Sequence, residues 1–373
     1  MRDNNCDEKG KYNEVIKKFE QNHGGQFVLT KKDLGSGSFG RVIEIKSKQK
    51  VYAMKIIEVK PENKINSETQ LALELKGPNI IKINKIYEEK VNNKSYDLVI
   101  MEKAALKDLG KLTDFYFKHN LLKTLYSPFY QHVGENLIRY YTFQIIKAME
   151  IIEKNKFVHF DIKPENILVA VNLVLKLTDF SLLRDLKTVK ENSIIPPGGT
   201  SGYFTPEYFF KNSLSCEHAK TQDYFALGCT IFYLKFGKLM IKMKKYSDKL
   251  MNSDRTLDII DKSISYIKSQ PLVSQDFKYF LCNLIQFRPE DRLNFEQIYR
   301  NKWLNDNLDV IKDVMNGFEN DEEKMILEFQ KNDFLAEKNK EKDKEKKEER
   351  IYSNKKKFNI LKTDKKYKRR SRK

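Results

Sequence analysis

The sequence predicts an α+β fold with two lobes, a small β-rich N-lobe and a larger, mostly α-helical C-lobe. Two observations predict it. Residues 26–103 carry short alternating apolar patterns with one helical pattern among them, whereas residues 104–305 carry longer patterns with helical spacing. The 373 residues suffice for one large domain or two modest ones with a sizeable core. We therefore expect a folded region over residues 26–305, with a ligand site where the lobes meet.

The N-lobe strands are predicted from period-two alternation and from β-branched and aromatic residues. They lie within QFVLTKKDLG (26–35), RVIEIKSKQKVYAMKIIEV (41–59), IIKINKIYEE (80–89) and YDLVIME (96–102). In the second segment, every second residue from Val51 to Ile57 falls on one face, Lys55 included, and we interpret this face as the core-facing side. Residues 64–76 are predicted to form a short helix that the following Gly-Pro ends.

The C-lobe is predicted to be helical because three segments place apolar residues at helical spacing. They are residues 135–155, 222–237 and 276–287. The first leads directly into VHFDIKPENILV (158–169), a charged stretch between two apolar runs. A chain does not need so many charged side chains merely to turn, so this stretch is a candidate site.

The two ends of the chain differ from the folded region. Residues 1–25 are polar and are predicted to be a loosely held extension, and residues 306–336 are predicted to be a helical spacer. Residues 337–373 hold eighteen Lys/Arg against seven Asp/Glu, so they supply eleven of the eighteen net positive charges. This pattern predicts a basic disordered tail. The tail is either a solubilising segment or a contact for import receptors, nucleic acid or acidic surfaces.

The sequence contains neither a run of about 18 apolar residues, as a membrane-spanning helix needs, nor an apolar stretch near its start, as a secretory signal has. The four cysteines are too scattered to suggest a disulfide or metal framework. We therefore expect an intracellular protein with reduced thiols, in the cytoplasm, the nucleus or both.

A glycine-rich stretch, LGSGSFGRV, occupies residues 34–42. Such a stretch also opens dinucleotide-binding folds, but there a helix must follow the last glycine. Here the residues from Arg41 alternate like a strand. Gly35, Gly37 and Gly40 therefore fit a hairpin loop whose backbone amides cover phosphates, and the alternative is an ordinary glycine-rich hairpin.

Lys55 lies in a strand on the face interpreted as core-facing, where a lone ammonium would be costly to bury. The predicted helix over residues 64–76 offers two glutamates. At about 100° per residue, Glu68 lies on the apolar stripe of this helix and Glu74 lies off it. Glu68 is therefore the predicted partner of Lys55, and the alternative is a pair of solvated surface charges.

The stretch 158–169 and the later KLTDFSLL (176–183) together contain the groups that phosphoryl transfer requires. That chemistry needs metal ions on the phosphate oxygens and a carboxylate that handles the proton of the acceptor hydroxyl. Mg²⁺ prefers oxygen ligands. Asp161, Asn166 and Asp179 provide this set, with one carboxylate to handle the proton and the Asn and Asp oxygens to hold the metal. Lys163 can balance charge on the moving phosphoryl group.

Five motifs, in this order and at these spacings, resemble the eukaryotic protein kinase superfamily: LGSGSFGRV, YAMK, HFDIKPEN, TDFS and GYFTPE. The resemblance covers roughly residues 26–305, and IKPEN resembles the serine/threonine-specific branch. It implies a two-lobed protein-kinase-like fold and an ATP-dependent kinase, with ATP and Mg²⁺ as cofactors. The implied substrates are proteins with Ser or Thr acceptors.

The resemblance also implies a role for each matching residue. Lys55 would hold the α- and β-phosphates and pair with Glu68. Asp161 would be the catalytic base, and Asn166 and Asp179 would bind Mg²⁺. The nucleotide-binding positions, the last two at the hinge between the lobes, would be Leu34, Gly35, Gly37, Gly40, Val42, Ala53, Lys55, Met101, Glu102 and Ala104.

Further matches imply scaffold and specificity roles. Glu207 would pair with a buried arginine, Arg292, and Asp223 would steady the catalytic loop. His159 is interpreted as a packed structural histidine. Glu165 resembles the position that recognises basic residues in the substrates of some family members, so basic substrates are one hypothesis.

Three departures from the family pattern stand out. Phe160 replaces the arginine that neutralises a phosphorylated activation loop, which predicts little dependence on loop phosphorylation. The loop does contain hydroxyls: Thr188, Ser193, Thr200 and Ser201. Ser181 replaces a glycine, whose backbone freedom serine lacks, and Ala72 is small for its packing position. These departures support an alternative, a pseudokinase acting as a nucleotide-binding scaffold or allosteric partner. A nucleic-acid binder led by the tail is a third hypothesis.

Overall fold

The structure is a computed structural model, and it describes residues 12–37, 40–59, 71–118, 131–170, 173–189, 199–211, 216–241 and 253–305. Its N-lobe is built on one antiparallel sheet with the strand order β1-β2-β3-β5-β4. The strands are β1 (Val28–Gly37), β2 (Gly40–Ser47), β3 (Lys50–Val59), β4 (Ile83–Val91) and β5 (Lys94–Glu102). The predicted β-rich lobe is therefore confirmed.

Strand β3 turns the opposite face to the N-lobe core from the face that we predicted. Met54 and Ile56 are fully buried in a cluster with Ile45 and Leu98. Lys55, between them in the sequence, is only half-buried. Because successive side chains of a strand alternate between faces, the face of Lys55 is the other one. The prediction that this face is the core-facing side is wrong.

A helix that the sequence did not predict covers the apolar face of the sheet. Helix α1 (Asn13–His23) buries Val15 and Phe19, which are 0% and 1% exposed, in the same cluster as Met54. The Asn22 side chain donates to Glu89 Oε1 on β4 at 2.9 Å. The prediction of a loosely held extension is therefore wrong for residues 13–23.

The helix predicted over residues 64–76 ends earlier than expected. Residues 60–70, with Glu68 among them, lie outside the described residues. After them, a 3-10 helix spans Ala72–Glu74, and Leu75 is extended, with φ −77° and ψ 112°. The end of the chain is also outside the description, so the predictions for residues 306–336 and 337–373 stay predictions.

The C-lobe is helical, as predicted. Its helices are α2 (Leu109–Lys118), α3 (Gln131–Lys154), α4 (Pro206–Lys211), α5 (Cys216–Phe236), α6 (Ser253–Ser269), α7 (Gln275–Leu284), α8 (Phe295–Tyr299) and α9 (Lys302–Asn305). In α5, every residue from Gln222 to Phe232 is buried, so α5 is the central helix of this lobe. Of the helices that the structure describes, none has both the length and the apolar character to cross a membrane.

Four short strands of the C-lobe place the candidate site between the lobes. They are β6 (Phe157–Val158), β7 (Ile167–Val169), β8 (Leu175–Leu177) and β9 (Arg184–Asp185), and they pair as β6-β9 and β7-β8. The backbone N–H of Leu106, just past β5, donates to Val169 O at 3.0 Å. Lys176 on β8 forms an ion pair with Glu102 at the end of β5, at 2.8 Å.

Candidate active site

The charged stretch predicted as a catalytic loop lies between β6 and β7, and hydrogen bonds to α5 hold it in place. Asp223 on that helix accepts the backbone N–H of His159 at 2.8 Å and that of Phe160 at 2.9 Å. Phe160 has φ 67°, a left-handed conformation that a bulky residue adopts only when its surroundings enforce it. The two bonds to one carboxylate supply that constraint, as predicted for Asp223.

Asp161 is almost fully buried, at 3% exposure, and both its carboxylate oxygens are hydrogen-bonded. Oδ2 accepts Lys163 Nζ and Asn166 Nδ2, each at 2.7 Å, and Oδ1 accepts the hydroxyl of Thr200 at 2.7 Å. Its backbone N–H donates to His159 Nδ1 at 3.2 Å. The structure therefore brings three predicted residues, Asp161, Lys163 and Asn166, into one hydrogen-bonded group.

Thr200 is the member of this group that sequence reasoning missed. We had counted it only among the hydroxyls of the activation loop. Its Oγ1 is hydrogen-bonded to both Asp161 and Lys163, although Thr200 lies 39 residues after Asp161 in the chain. Its only signal in the sequence is weak: a hydroxyl residue directly after Gly-Gly and shortly before the motif GYFTPE. Its contact with Asp161 places a hydroxyl within hydrogen-bonding distance of the predicted base.

Lys55 and Asp179 meet across the cleft between the lobes. Lys55 Nζ lies 2.5 Å from Asp179 Oδ1 and 3.2 Å from Ser181 Oγ. The Ser181 hydroxyl itself donates to Asp179 Oδ1. Burial by itself would raise the pKa of Asp179, but the Lys55 ammonium and the Ser181 hydroxyl outweigh it and hold the pKa below its usual value. Asp179 is therefore an anion near neutral pH. The predicted pairing of Lys55 with Glu68 stays a prediction, since Glu68 lies outside the described residues.

Serine at position 181 adopts a backbone conformation that does not require glycine. It lies in a 3-10 helix over Phe180–Leu182, and the residue with positive φ is Asp179, at 63°. Ser181 is absent from the described residues with left-handed backbone. Serine therefore carries no backbone cost in this conformation, and its effect on a switch between conformations stays a prediction.

Asn166 and Asp179 are brought close by the β7-β8 ribbon. Thr178, the residue before Asp179, donates its backbone N–H to Asn166 O at 2.9 Å. The amide nitrogen of Asn166 is committed to the backbone oxygen and the Oδ2 of Asp161. Its side-chain oxygen is thus the atom left as a ligand. An amide oxygen and a carboxylate suit a hard cation such as Mg²⁺.

The predicted nucleotide-binding side chains lie on the face of the sheet that carries Lys55. Lys55 is directly opposite Val42 on β2, and Ala53 is opposite Met101 on β5. Because residues two apart on a strand share a face, all four lie on one side of the sheet. Ala53 and Met101 are buried and Val42 is half-buried, which suits a flat apolar ring.

The remaining predicted positions border this face. Leu34, half-buried, and Gly35 lie on β1, and Gly37 pairs with Gly40 across the turn. Gly40 has φ 132°, and a Cβ there would lie 2.1 Å from Ile56 O, so only glycine fits. At the other border are the two hinge positions, Glu102 and Ala104. Glu102 donates its N–H to Lys82 O at 2.9 Å, and Ala104 is half-buried just past β5.

The scaffold pairs predicted for the C-lobe are present. Arg292 Nη2 lies 2.8 Å from Glu207 Oε2, with side chains 0% and 2% exposed. Burial raises the pKa of Asp223 to about 7, although its two backbone bonds act against this rise. His159 is buried, its ring 5.4 Å from that of Phe180, and burial lowers its pKa, so it is a neutral packed residue near pH 7.

Phe160 packs where the family pattern has an arginine. Its ring, 3% exposed, forms an apolar cluster with Val158 and Ala219. Three half-buried side chains of the following segment pack against this cluster: Leu182, Leu186 and Val189. The segment after Asp179 is thus held on the catalytic loop by apolar contacts in the part of the chain that the structure describes.

Comparison with known proteins agrees with this geometry. The protein kinase domain model matches residues 28–304. The chain is 28% identical over 300 residues to an Aurora kinase of Saccharomyces cerevisiae, a match that takes in 78% of this chain and 72% of that protein. It is 27% identical over 291 residues to the serine/threonine-protein kinase AtPK2/AtPK19 of Arabidopsis thaliana, covering 73% of this chain and 53% of that protein.

Another relative is much longer than the matched region. Cyclin-dependent kinase-like 5 of Mus musculus is 29% identical over 254 residues, which are 67% of this chain but 24% of that protein. The domain match covers well over half of the sequence and coincides with the described fold. The chain belongs to the eukaryotic protein kinase superfamily.

Proposed function

We propose that the protein is an ATP-dependent serine/threonine protein kinase that transfers the γ-phosphoryl group of ATP to protein hydroxyls. The observation that carries this proposal is the bond between Thr200 Oγ1 and Asp161 Oδ1, at 2.7 Å. It places an alcohol hydroxyl against a buried carboxylate, which is the geometry that a base needs to take the proton of an acceptor. A substrate hydroxyl would bind Asp161 in the same way.

Each residue of the site has a task in this reaction. Asp161 orients the acceptor hydroxyl and accepts its proton as the oxygen attacks the γ-phosphorus and the bond to the leaving ADP oxygen breaks. Lys163, bonded to Asp161 at 2.7 Å, balances negative charge at the transferring group. Lys55 holds the α- and β-phosphates. Asn166 and Asp179 would hold Mg²⁺, which when bound neutralises charge on the phosphate oxygens.

We further propose that the enzyme depends little on activation-loop phosphorylation. In the family pattern a phosphate binds the arginine before the catalytic aspartate, and here Phe160 occupies that position. The packing of Leu182, Leu186 and Val189 against the cluster that contains Phe160 supports a segment held without a phosphate. An apolar ring cannot bind a phosphate, so phosphorylation nearby would gain no partner at this position.

Basic protein substrates are part of the proposal. Glu165 is exposed beside the catalytic residues, next to Pro164 in the 3-10 helix over Pro164–Asn166. An exposed carboxylate there favours Lys or Arg near the acceptor. A peptide array without enrichment for basic residues would remove this preference and leave the kinase proposal intact.

The test of the main proposal is transfer of labelled phosphate from ATP and Mg²⁺ to a generic basic protein. Phosphatase-treated protein is compared with Asp161→Asn and with a matched surface control, Asp258→Asn on α6. We expect the wild type and the control to transfer phosphate, and the rate of transfer by Asp161→Asn to be about 10²- to 10⁴-fold lower.

The same assay separates the alternative. No transfer from any variant, together with Mg²⁺-dependent ATP binding, would favour a nucleotide-binding scaffold over an enzyme. The observation that favours this alternative is the ion pair between Lys55 and Asp179, because it joins a proposed phosphate ligand to a proposed metal ligand. Transfer that appears only without phosphatase treatment would contradict independence from loop phosphorylation but not kinase activity.

The basic tail and the cellular location also stay proposals. We propose that the protein acts in the cytoplasm or nucleus, where buried thiols such as Cys229 and Cys282 remain reduced. Deleting residues 337–373 should leave phosphate transfer unchanged. Loss of nuclear import, or of binding to nucleic acid or acidic surfaces, in that deletion would assign the tail.

A further inference from the structure

Ser181 takes part in a closed group of three hydrogen bonds at the metal-binding end of the site. Lys55 Nζ donates to Ser181 Oγ at 3.2 Å and to Asp179 Oδ1 at 2.5 Å. The Ser181 hydroxyl donates its own proton to the same Oδ1. The hydroxyl therefore both accepts from the ammonium and donates its one proton to the carboxylate.

The bonds from Lys55 and Ser181 to Asp179 all fall on one of its two carboxylate oxygens. Oδ1 receives the Lys55 ammonium, the Ser181 hydroxyl and, at 3.4 Å, the Ser181 backbone N–H. Among the described residues, no donor bonds Oδ2 of Asp179. One oxygen is thus held by the protein while the other remains available as a ligand.

We propose that Ser181 is a positioning residue for the metal: its hydroxyl fixes the Asp179 carboxylate so that Oδ2 is presented to Mg²⁺. This inference rests on the proposed function, in which Asp179 is a metal ligand. Hydrogen bonds to a ligating group orient it and raise its effectiveness as a ligand. The glycine of the family pattern has no hydroxyl, so this chain would use a device that the pattern lacks.

The proposal predicts which side chains can serve at this position. Alanine keeps the local backbone but removes the hydroxyl, so it leaves the carboxylate with fewer bonds. Threonine keeps the hydroxyl. If the hydroxyl acts by orienting Asp179, Ser181→Thr should behave like the wild type and Ser181→Ala should not.

The test measures ATP affinity by calorimetry as a function of Mg²⁺ concentration, and again in EDTA. In Ser181→Ala we expect the Mg²⁺ concentration that gives half of the full affinity increase to rise about tenfold. ATP affinity in EDTA should not change, since the phosphate-binding Lys55 remains. A matched control, Ser263→Ala, removes another partly buried hydroxyl, bonded to Ile259 O at 2.8 Å, and should change neither quantity.

Each outcome decides the matter. If Ser181→Ala and the wild type needed the same Mg²⁺ concentration for half of the affinity increase, the inference would be overturned and the proposed function would stand. If Ser181→Ala lost as much ATP affinity in EDTA as it loses in Mg²⁺, the inference would also be overturned, because such a loss indicates a merely structural role. A wild type whose ATP affinity ignores Mg²⁺ would overturn the proposed metal use, and the inference with it.

Discussion

The catalytic loop and the segment that follows Asp179 are held in place by different physics. The loop is fixed by polar bonds of defined direction: Asp223 binds two consecutive backbone N–H groups, and Asp161 receives bonds on both oxygens. The following segment packs on the apolar cluster of Phe160, Val158 and Ala219. Directional bonds place reacting atoms accurately, whereas apolar packing keeps a segment folded with less demand on geometry.

The difference bears on one departure from the family pattern. Phe160 lies in the catalytic loop, but its side chain belongs to the apolar cluster on which the following segment packs, and there an apolar residue can replace a charged one. The residues that form the directed bonds match the family pattern: Asp161, Lys163 and Asn166 in the loop and Asp223 on α5. We expect the two regions to respond differently to substitution.

The largest effect should come from a directed contact buried in the C-lobe, the ion pair of Arg292 with Glu207. In Arg292→Leu, Glu207 keeps a buried charge without its partner, so we expect a loss of about 3–5 kcal/mol in the free energy of unfolding. Chemical denaturation measures it. The control is Arg300→Ala, whose pair with Glu296 is exposed, at 77% and 70%, and which should change stability by less than about 0.5 kcal/mol. Similar losses in both variants would contradict the assignment.

The next effect tests the apolar packing between Phe160 and the segment that follows Asp179. Phe160→Ala removes a buried ring from its cluster, and we expect a loss of about 3 kcal/mol in the free energy of unfolding. Limited proteolysis should cut within residues 182–189 faster than in the wild type, while sites in α5 stay protected. Unchanged proteolysis would mean that Phe160 does not hold this segment.

A smaller effect is expected at the centre of the polar region. Asp223→Asn keeps the shape of the side chain but offers one accepting oxygen for the two N–H groups of His159 and Phe160. The unsatisfied group should lower stability by about 1–3 kcal/mol. Because the loop carries Asp161, we expect kcat to fall more than the KM for ATP changes. A change in KM alone would contradict a role in holding the loop.

The smallest effect is a pH dependence at His159. Burial lowers its pKa below the ordinary 6.5, so below that pH the unfolded chain binds a proton that the folded protein does not. Stability therefore falls as pH drops below about 6.5, by at most about 1.4 kcal/mol per pH unit. Melting temperatures at pH 7.5, 6 and 5 measure it. His159→Gln should flatten this slope, and an identical slope would exclude His159 as its source.

Much of this comparison could be predicted from the sequence, because the catalytic loop depends on residues close together in the chain. Spacing within HFDIKPEN fixed the order of Asp161, Lys163 and Asn166, and the structure brings them together. The strands were also predicted well, since period-two alternation is a local signal. These are features in which the local pattern and the tertiary fold agree.

Other features depend on contacts that no local pattern contains. Both faces of β3 are largely apolar, so alternation could not identify the face that packs in the core. Helix α1 was missed because its polar composition masked Val15 and Phe19, which become buried only against the distant β4 and β5. The bond between Thr200 and Asp161 joins residues 39 positions apart.

Helix α1 has a practical consequence for anyone who shortens this chain. The domain match begins at residue 28, which invites an expression fragment starting there. Such a fragment would lack both helix α1 and Phe27 and would expose Tyr87, which is part of the same buried cluster. Newly bared apolar surface of this kind promotes aggregation. Fragments intended for crystallisation or screening should therefore begin ahead of Asn13.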